Sequence, residues 1–378
     1  MNSRERMARA MQLQKPDRVP VMCQLALGHT FLHSGLDPVD VWHDGAAFAE
    51  ALVRLQRAYG FDGILVNLPG RPAPWRAEVD RVETVGRDRH LVWKGGLVTI
   101  CPPDDNPHVF LADRRTRPLL RLEDLEADRL FYLEPHGLLG LEWEWRAFPP
   151  WHWDTLRTVR AMAPDVSLHG EAFSPFSQIC EAVGPDEAML ALRAEPDRVK
   201  ACLEALVPGT VALLAGHVAA GADAVLLSSA WAGGGLISTR HYREFVLPVE
   251  ARVIAGFKAR CPGTPVYTHT CGRLGDRLEL VAETGTDGID TLDPPPLGDV
   301  ELADAKRRVG GRLFLKGNVD PVGTVLLGTP EAVLADARRR IAIAAPGGGY
   351  VLSTACSVPP GAPPENVRAL RAAAEATR

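Results

Sequence analysis

Short apolar runs rich in β-branched residues recur along the chain, each followed by a loop and then by a stretch with helical spacing. They are "RVPVMCQL" (18–25), "DGILVN" (62–67), "VSLHGEAF" (166–173), "ADAVLLSSA" (222–230), "TPVYTHTC" (264–271), "DGIDTLD" (287–293), "RLFLKGNVD" (312–320) and "GGYVLSTA" (348–355). Runs that are apolar on both faces and alternate with helices indicate a parallel sheet covered by helices. Eight of them in 378 residues predict a closed (β/α)8 barrel, the TIM-barrel architecture. The alternative is an open doubly wound sheet. It would place a Gly-rich turn after the first strand, and "MCQLALGHTF" is no such turn.

The helical stretches carry their own start signals. In "GTPEAVLADARRRIAIAA" Thr329 is placed to cap, Pro330 to occupy the first turn and Glu331 to face the positive end of the helix dipole. "PPENVRAL", "EPDRVKACLEAL" and "GPDEAMLALRA" repeat the proline-acid opening. About a hundred residues separate the second and third runs, too many for an ordinary βα connection. Within them "AEVDRVETVGRDRHLVWKGGLVTICPP" alternates like an antiparallel meander, and "LEWEWRAFPPWHW" (141–153) holds four of the eight tryptophans. We read residues 70–160 as an insertion over the barrel mouth in a single domain spanning 1–378. Its tryptophans form either a satellite core or an apolar lid that screens the site from water.

In such a barrel the chemistry sits at the C-terminal ends of the strands. His269 and Cys271 close the fifth run two positions apart, so they share a face and can reach one ion together. Cys356 follows the eighth run and can converge with them across the mouth. An imidazole with two thiolates suits borderline-soft zinc and leaves a fourth position open. The plainer alternative is a core histidine beside two buried thiols. The sixth run adds Asp290 and Asp293, of which alternation turns one inward; either is a candidate oxygen ligand or catalytic carboxylate. Glu171 is a third candidate catalytic group, as an isolated carboxylate at the mouth. Gln24, His29, Asn67, Ser229 and Asn318 are candidate substrate-binding residues, with loop capping as the competing role for each. Asp320 falls in the same turn as Asn318.

Net charge is −5 and the isoelectric point about 6.1, with no Lys/Arg run to track phosphates, so nucleic acid is not an expected partner. The start, "MNSRERMARAMQLQKPDRVP", lacks the pattern of a secretory signal, and no run approaches the ~18 apolar residues of a membrane span. A cytoplasmic protein with no membrane partner is expected. Seven scattered cysteines give no disulfide framework.

"HTCG", "FLKGNVDPVGTVLLGTPEAV", "GGYVLSTACSVPPGAPPENV" and "AGADAVLLSSAWAGGGLISTRHYREFVLPV" resemble the uroporphyrinogen decarboxylase superfamily. They are most similar to its zinc-dependent methyltransferase branch, typified by methylcobamide:coenzyme M methyltransferases. The resemblance implies a (β/α)8 barrel, zinc held by His269, Cys271 and Cys356, and methyl transfer between a corrinoid (cobalamin) and a zinc-activated thiol or other small acceptor or donor. It also implies that the corrinoid arrives on a partner protein and that a homodimer is possible. The carriers' D-x-H-x-x-G motif has no counterpart here: Asp88-Arg89-His90 lacks the glycine and lies in the meander.

Two departures separate the chain from the decarboxylases themselves. Their arginine-rich segment after the first strand is replaced by "MCQLALGHTFLHSG", and a cysteine stands where they place a histidine. A multiply anionic porphyrinogen without cationic partners would lose much of its binding energy. A decarboxylase-like lyase, or a binding protein that holds a corrinoid or tetrapyrrole without turnover, are the alternatives.

Overall fold

The computed structural model describes residues 1–71, 75–111, 113, 119–134 and 147–376. In chain order the strands are β1 (Gly63–Val66), β2 (Val79–Val85), β3 (Asp88–Trp93), β4 (Val98–Cys101), β5 (His108–Phe110), β6 (Ser167–Phe173), β7 (Ala224–Ser228), β8 (Val266–His269), β9 (Gly288–Thr291), β10 (Phe314–Val319) and β11 (Tyr350–Thr354). Seven of them form one curled parallel sheet in the order β1-β6-β7-β8-β9-β10-β11. The run at 18–25 closes the ring more sparsely than expected, through parallel bridges Val21–Leu352 and Leu25–Val358 rather than a full ladder. Met22 N donates to Leu352 O on one side (3.0 Å), and Val21 O accepts from Asp62 N on the other (2.7 Å). Pro20 supplies no N–H, which interrupts the pairing.

Alternation decides what fills the barrel. Leu65, Leu226, Tyr267, Phe314 and Val351 pack with Met7 and Met11 of the N-terminal helix Ser3–Met11, which plugs the lower end. Two residues further along, the same strands present Ser228, His269 and Lys316, and β9 presents Asp290 in register with both His269 and Lys316. An apolar floor thus gives way to a polar layer towards the mouth.

Beneath β1, Asp62 is wholly buried and accepts from Arg18 through both oxygens (2.7 Å each), from Arg6 Nη1 (2.8 Å) and from Val21 N (2.9 Å). Burial favours the neutral acid, but the Arg18 bonds and charge outweigh it and hold the carboxyl below its ordinary range. Asp62→Ala is expected to cost ~3–5 kcal/mol in urea unfolding, because two guanidinium groups lose their buried counter-ion.

The helices begin as the sequence predicts. Thr329 Oγ1 accepts from Ala332 N, Pro330 opens the helix Pro330–Ala344, and prolines likewise open Pro185–Ala194, Pro196–Ala219 and Pro364–Glu375. The sequence reading missed one property of Pro196–Ala219: its 24 residues are long and apolar enough to match a membrane span by length and composition. Half of its most apolar stretch is buried inside this molecule, where Leu203, Leu206 and Leu214 join the core.

The insertion forms the expected antiparallel sheet, β2-β3-β4-β5. The loop before β5 lies against the helix Leu27–His33 so closely that a Cβ on Gly28 would meet Asp104 O at 2.1 Å. This contact brings residues 106–108 over the mouth. Of the tryptophan cluster, Trp143 and Trp145 lie outside the described residues, and Trp153 packs against two core clusters.

Candidate metal centre at the barrel mouth

β8 ends at His269, and the chain turns at Gly272, whose φ of 75° is a conformation glycine adopts without cost. Cys271 therefore stays close to His269, with Nε2 and Sγ 3.2 Å apart. Cys356 comes two residues after β11. One ligating atom from each of His269, Cys271 and Cys356 lies within 4.8 Å of the other two. The three residues singled out from 85 positions of separation thus meet at one point.

The surroundings orient the imidazole. Its Nδ1 lies 3.0 Å from Thr291 Oγ1 and 3.3 Å from Asp290 Oδ2, while Nε2 faces the sulfur. Asp290 is in turn held by Lys316 Nζ at 2.7 Å. Burial would raise the Asp290 pKa, but the Lys316 charge and the His269 contact bring it down to about 2, so it is a carboxylate at neutral pH. A carboxylate on the far nitrogen fixes ring and tautomer for a metal at the near one. The expectation that Asp290 could ligate directly is corrected accordingly: it positions His269. Asp290→Asn is expected to weaken zinc binding ~10–100-fold in chelator competition, with little change in the fold.

The two thiols respond to each other. Hydrogen bonding from Cys271 pulls Cys356 well below the ordinary thiol range, and the same contact pushes Cys271 up. Burial disfavours a charged His269, yet Cys271, Asp290 and Cys356 raise its proton affinity. A buried site that gathers negative charge around one proton is a site where a cation competes well. The donor set fits zinc.

A cavity of about 450 Å³ opens beside the triad. Gln24, Asn67 and Glu171 line it as the sequence predicts, and the Gln24 Oε1 is buried with no partner among the described residues. Asp293 adjoins the triad instead: its Oδ2 accepts from Gly272 N at 2.6 Å, and its Oδ1 is buried without a partner among the described residues. Three expected substrate contacts are absent from this wall. His29 is buried between Pro359 O (3.0 Å) and Tyr59 OH (2.7 Å). Ser229 donates to Glu250, and Ser228, one position earlier, faces the cavity in its place. Asn318 bonds Leu292 O at 2.7 Å and Arg340, and Asp320 caps the turn that follows. The sequence reading did not find Trp42, Asn106 or His108, which also line the cavity. Lys316 carried a readable signal, since a lysine inside an apolar strand requires a buried counter-charge.

Fold and site together define a (β/α)8-barrel enzyme with its reactive groups at the C-terminal rim. The family model described as "Uroporphyrinogen decarboxylase (URO-D)" matches residues 146–377, and the chain belongs to that family. The uroporphyrinogen decarboxylase of Thioalkalivibrio sulfidiphilus is 37% identical over 178 residues, 47% of this chain and 48% of that protein. That of Psychromonas ingrahamii is 30% identical over 221 residues, 56% of this chain and 60% of that protein. The matched stretch therefore spans about half to three fifths of these relatives. Among solved structures, a methyltransferase from Methanosarcina mazei superposes with a TM-score of 0.73 over 100% of this chain and 99% of its own, at 20% identity. A B12-independent methionine synthase from Shewanella sp. W3-18-1 follows with a TM-score of 0.50 over 88% and 87%, at 12% identity. At these identities the two likenesses establish the shared fold.

Proposed function

We propose that the protein is a zinc-dependent methyltransferase that moves a methyl group between a corrinoid carried by a partner protein and a small thiol or other acceptor or donor. One observation carries this reading: His269, Cys271 and Cys356 bring one imidazole nitrogen and two sulfurs within 4.8 Å of one another at the mouth of the barrel. Zinc bound by these three residues would keep an incoming thiol deprotonated near neutral pH while leaving its sulfur nucleophilic.

The remaining roles fall to the chain itself. Asp290, anchored by Lys316, keeps Nε2 of His269 aimed at the sulfurs. Asp293 Oδ1 supplies a buried acidic oxygen for a further ligand. Burial raises the proton affinity of Glu171, which suits it to hold the proton that a bound thiol releases. Gln24 and Asn67 offer amide hydrogen bonds to substrate, and the insertion residues Asn106 and His108 help to close the cavity from water. All seven cysteines are free thiols, the state that a reducing cytoplasm maintains.

The names of the curated relatives favour a second reading, a decarboxylase or related lyase. Against it stands the absence of any arginine in the segment that follows the first strand run, 22–35. The test is to mix zinc-loaded protein with methylcobalamin and a panel of thiols. Appearance of the cob(I)alamin spectrum with a methylated thiol is the expected result. No spectral change with any acceptor, or turnover of a porphyrinogen carboxylate instead, would overturn the methyltransferase reading.

A further inference from the structure

A second cavity lies at the opposite end of the strands from the triad. It encloses about 440 Å³, close to the 450 Å³ beside the triad. Residues 15–19, which enter the first strand run, form one side of it, and the end of the helix Pro330–Ala344 with the turn into β11 forms the other. The N-terminal end of a (β/α)8 barrel ordinarily serves stability, so a hollow of ligand size there has no part in the chemistry proposed above.

Its walls are of two kinds. Val19, Ile341, Ala345 and Pro346 supply apolar surface, and Ala342 is exposed on the same helix. The charges do not balance. Asp17 is occupied by Arg6 through both oxygens (2.6 and 2.8 Å), and Arg18 is occupied by Asp62. That leaves Lys15 and Arg338, both exposed and both without an ion pair or hydrogen bond among the described residues. Arg339 and Arg340, next in sequence, both pair with Asp336, which sets Arg338 apart. Two uncompensated cations on one hollow give it a positive potential that favours an anion.

The hollow is shaped before any ligand arrives. Gly347, Gly348 and Gly349 of the turn have φ of 80°, 81° and 72°. A Cβ on Gly348 would meet the Gln14 carbonyl carbon at 2.6 Å, and Lys306 Nζ donates to Gly348 O at 2.6 Å. The turn is thus pressed against residues 13–14, immediately before Lys15, and tied to the helix Leu302–Arg308. Walls already in place reduce the ordering cost of binding.

We propose that this cavity binds a small phosphate monoester with an apolar body, at a site separate from the catalytic one. A guanidinium takes two phosphate oxygens at once, an ammonium adds a point charge, and together they match a dianion. The aliphatic wall takes the ester group out of water. The inference does not rest on the metal or on the methyltransferase reading.

The test is calorimetry of 1-naphthyl phosphate, 1-naphthol and inorganic phosphate on the full chain without metal. The ester is expected to bind ~10- to 100-fold more tightly than either fragment. Lys15→Gln with Arg338→Gln should remove the ester's advantage over naphthol and leave the affinity for naphthol unchanged. Lys15→Arg with Arg338→Lys keeps both charges and should retain most of that advantage. Ala342→Trp, which fills the hollow from an exposed position, should abolish binding of ester and naphthol alike; should it fail to fold, the paired charge variants decide alone. Cys356→Ser, at the other end of the strands, should leave the ester's affinity as it is. An ester that binds no better than naphthol would overturn the inference, and so would an advantage that survives loss of both charges or binding undiminished in folded Ala342→Trp. Ester affinity lost in Cys356→Ser would overturn it too, by placing the probe beside the triad. None of these results bears on the methylcobalamin assay, so the two readings stand or fall apart.

Discussion

Cys356→Ser is expected to lower zinc affinity by more than ~100-fold, because even partners that only orient a ligand are worth ~10–100-fold, and a ligand itself should exceed them. Serine keeps the size and loses the soft donor, so the fold should persist: Cys356 lies two residues after β11 and is only partly buried. The measurement is competition with a chelating dye alongside a thermal melt of the metal-free protein. The wild type should hold about one zinc per chain, and the variant should lose it with its metal-free melting temperature little changed. Tight zinc retention in Cys356→Ser would mean that the ion sits elsewhere and that the convergence of the two sulfurs with His269 is incidental packing.

A second large effect is expected from pH. His29, His43, His169 and His217 are all buried, and burial is the first cause that takes their pKa values down to about 4, 3, 3 and 4 respectively. Unfolding returns each towards ~6.5. Between those values the unfolded chain binds more protons than the folded one, so stability is full above the unfolded value and falls as pH drops below it. Each histidine contributes a slope of ~1.4 kcal/mol per pH unit, or ~5 kcal/mol per unit for four. Buried carboxyls pull the other way: burial raises Glu134 to about 8, Glu250 to about 7 and Asp293 to about 6, so near pH 5 to 6 the fold holds three protons that the unfolded chain has released. His269, whose proton affinity is raised in the metal-free fold, opposes the other histidines only above ~6.5, where the unfolded chain has lost that proton. The net uptake on unfolding is therefore about one proton, a loss of ~1.4 kcal/mol per pH unit. Stability from urea midpoints should fall by ~2–3 kcal/mol in all between pH 7.5 and 4.5. A fall several times steeper would show that these carboxyls are ionised in the fold, and a rise on acidification would show that the histidines are solvated or charged there.

Much of the scaffold was legible because two periodicities are written plainly in this chain. β-branched runs carry His269 and Asp290 at strand ends and Cys356 just past one, and period two puts His269 and Cys271 on one side. The same rule explains the misreading of Ser229. The strand ends at Ser228, and alternation gives the inward position to that residue rather than to its neighbour. His29 and Asn318 were misjudged for a different reason: partners distant in sequence, Pro359 and Tyr59 for one and Arg340 for the other, satisfy them internally. Arg71 and Lys316 could not be assigned from sequence because the meaning of a buried charge depends on what stands opposite it. Lys316 meets Asp290, whereas both terminal nitrogens of Arg71 meet no partner among the described residues. The sparse pairing at 18–25 was foreshadowed by Pro20 alone.

The hairpin sheet of residues 79–110 hangs over the sulfurs, yet none of its strands pairs with the ring, and the family match begins only at residue 146. What enters the chamber and what happens inside it are thus written in separate stretches of polypeptide. Because no ladder of hydrogen bonds joins the two sheets, changes of length in the overhang are expected to alter what reaches the triad without breaking the ring's own pairing.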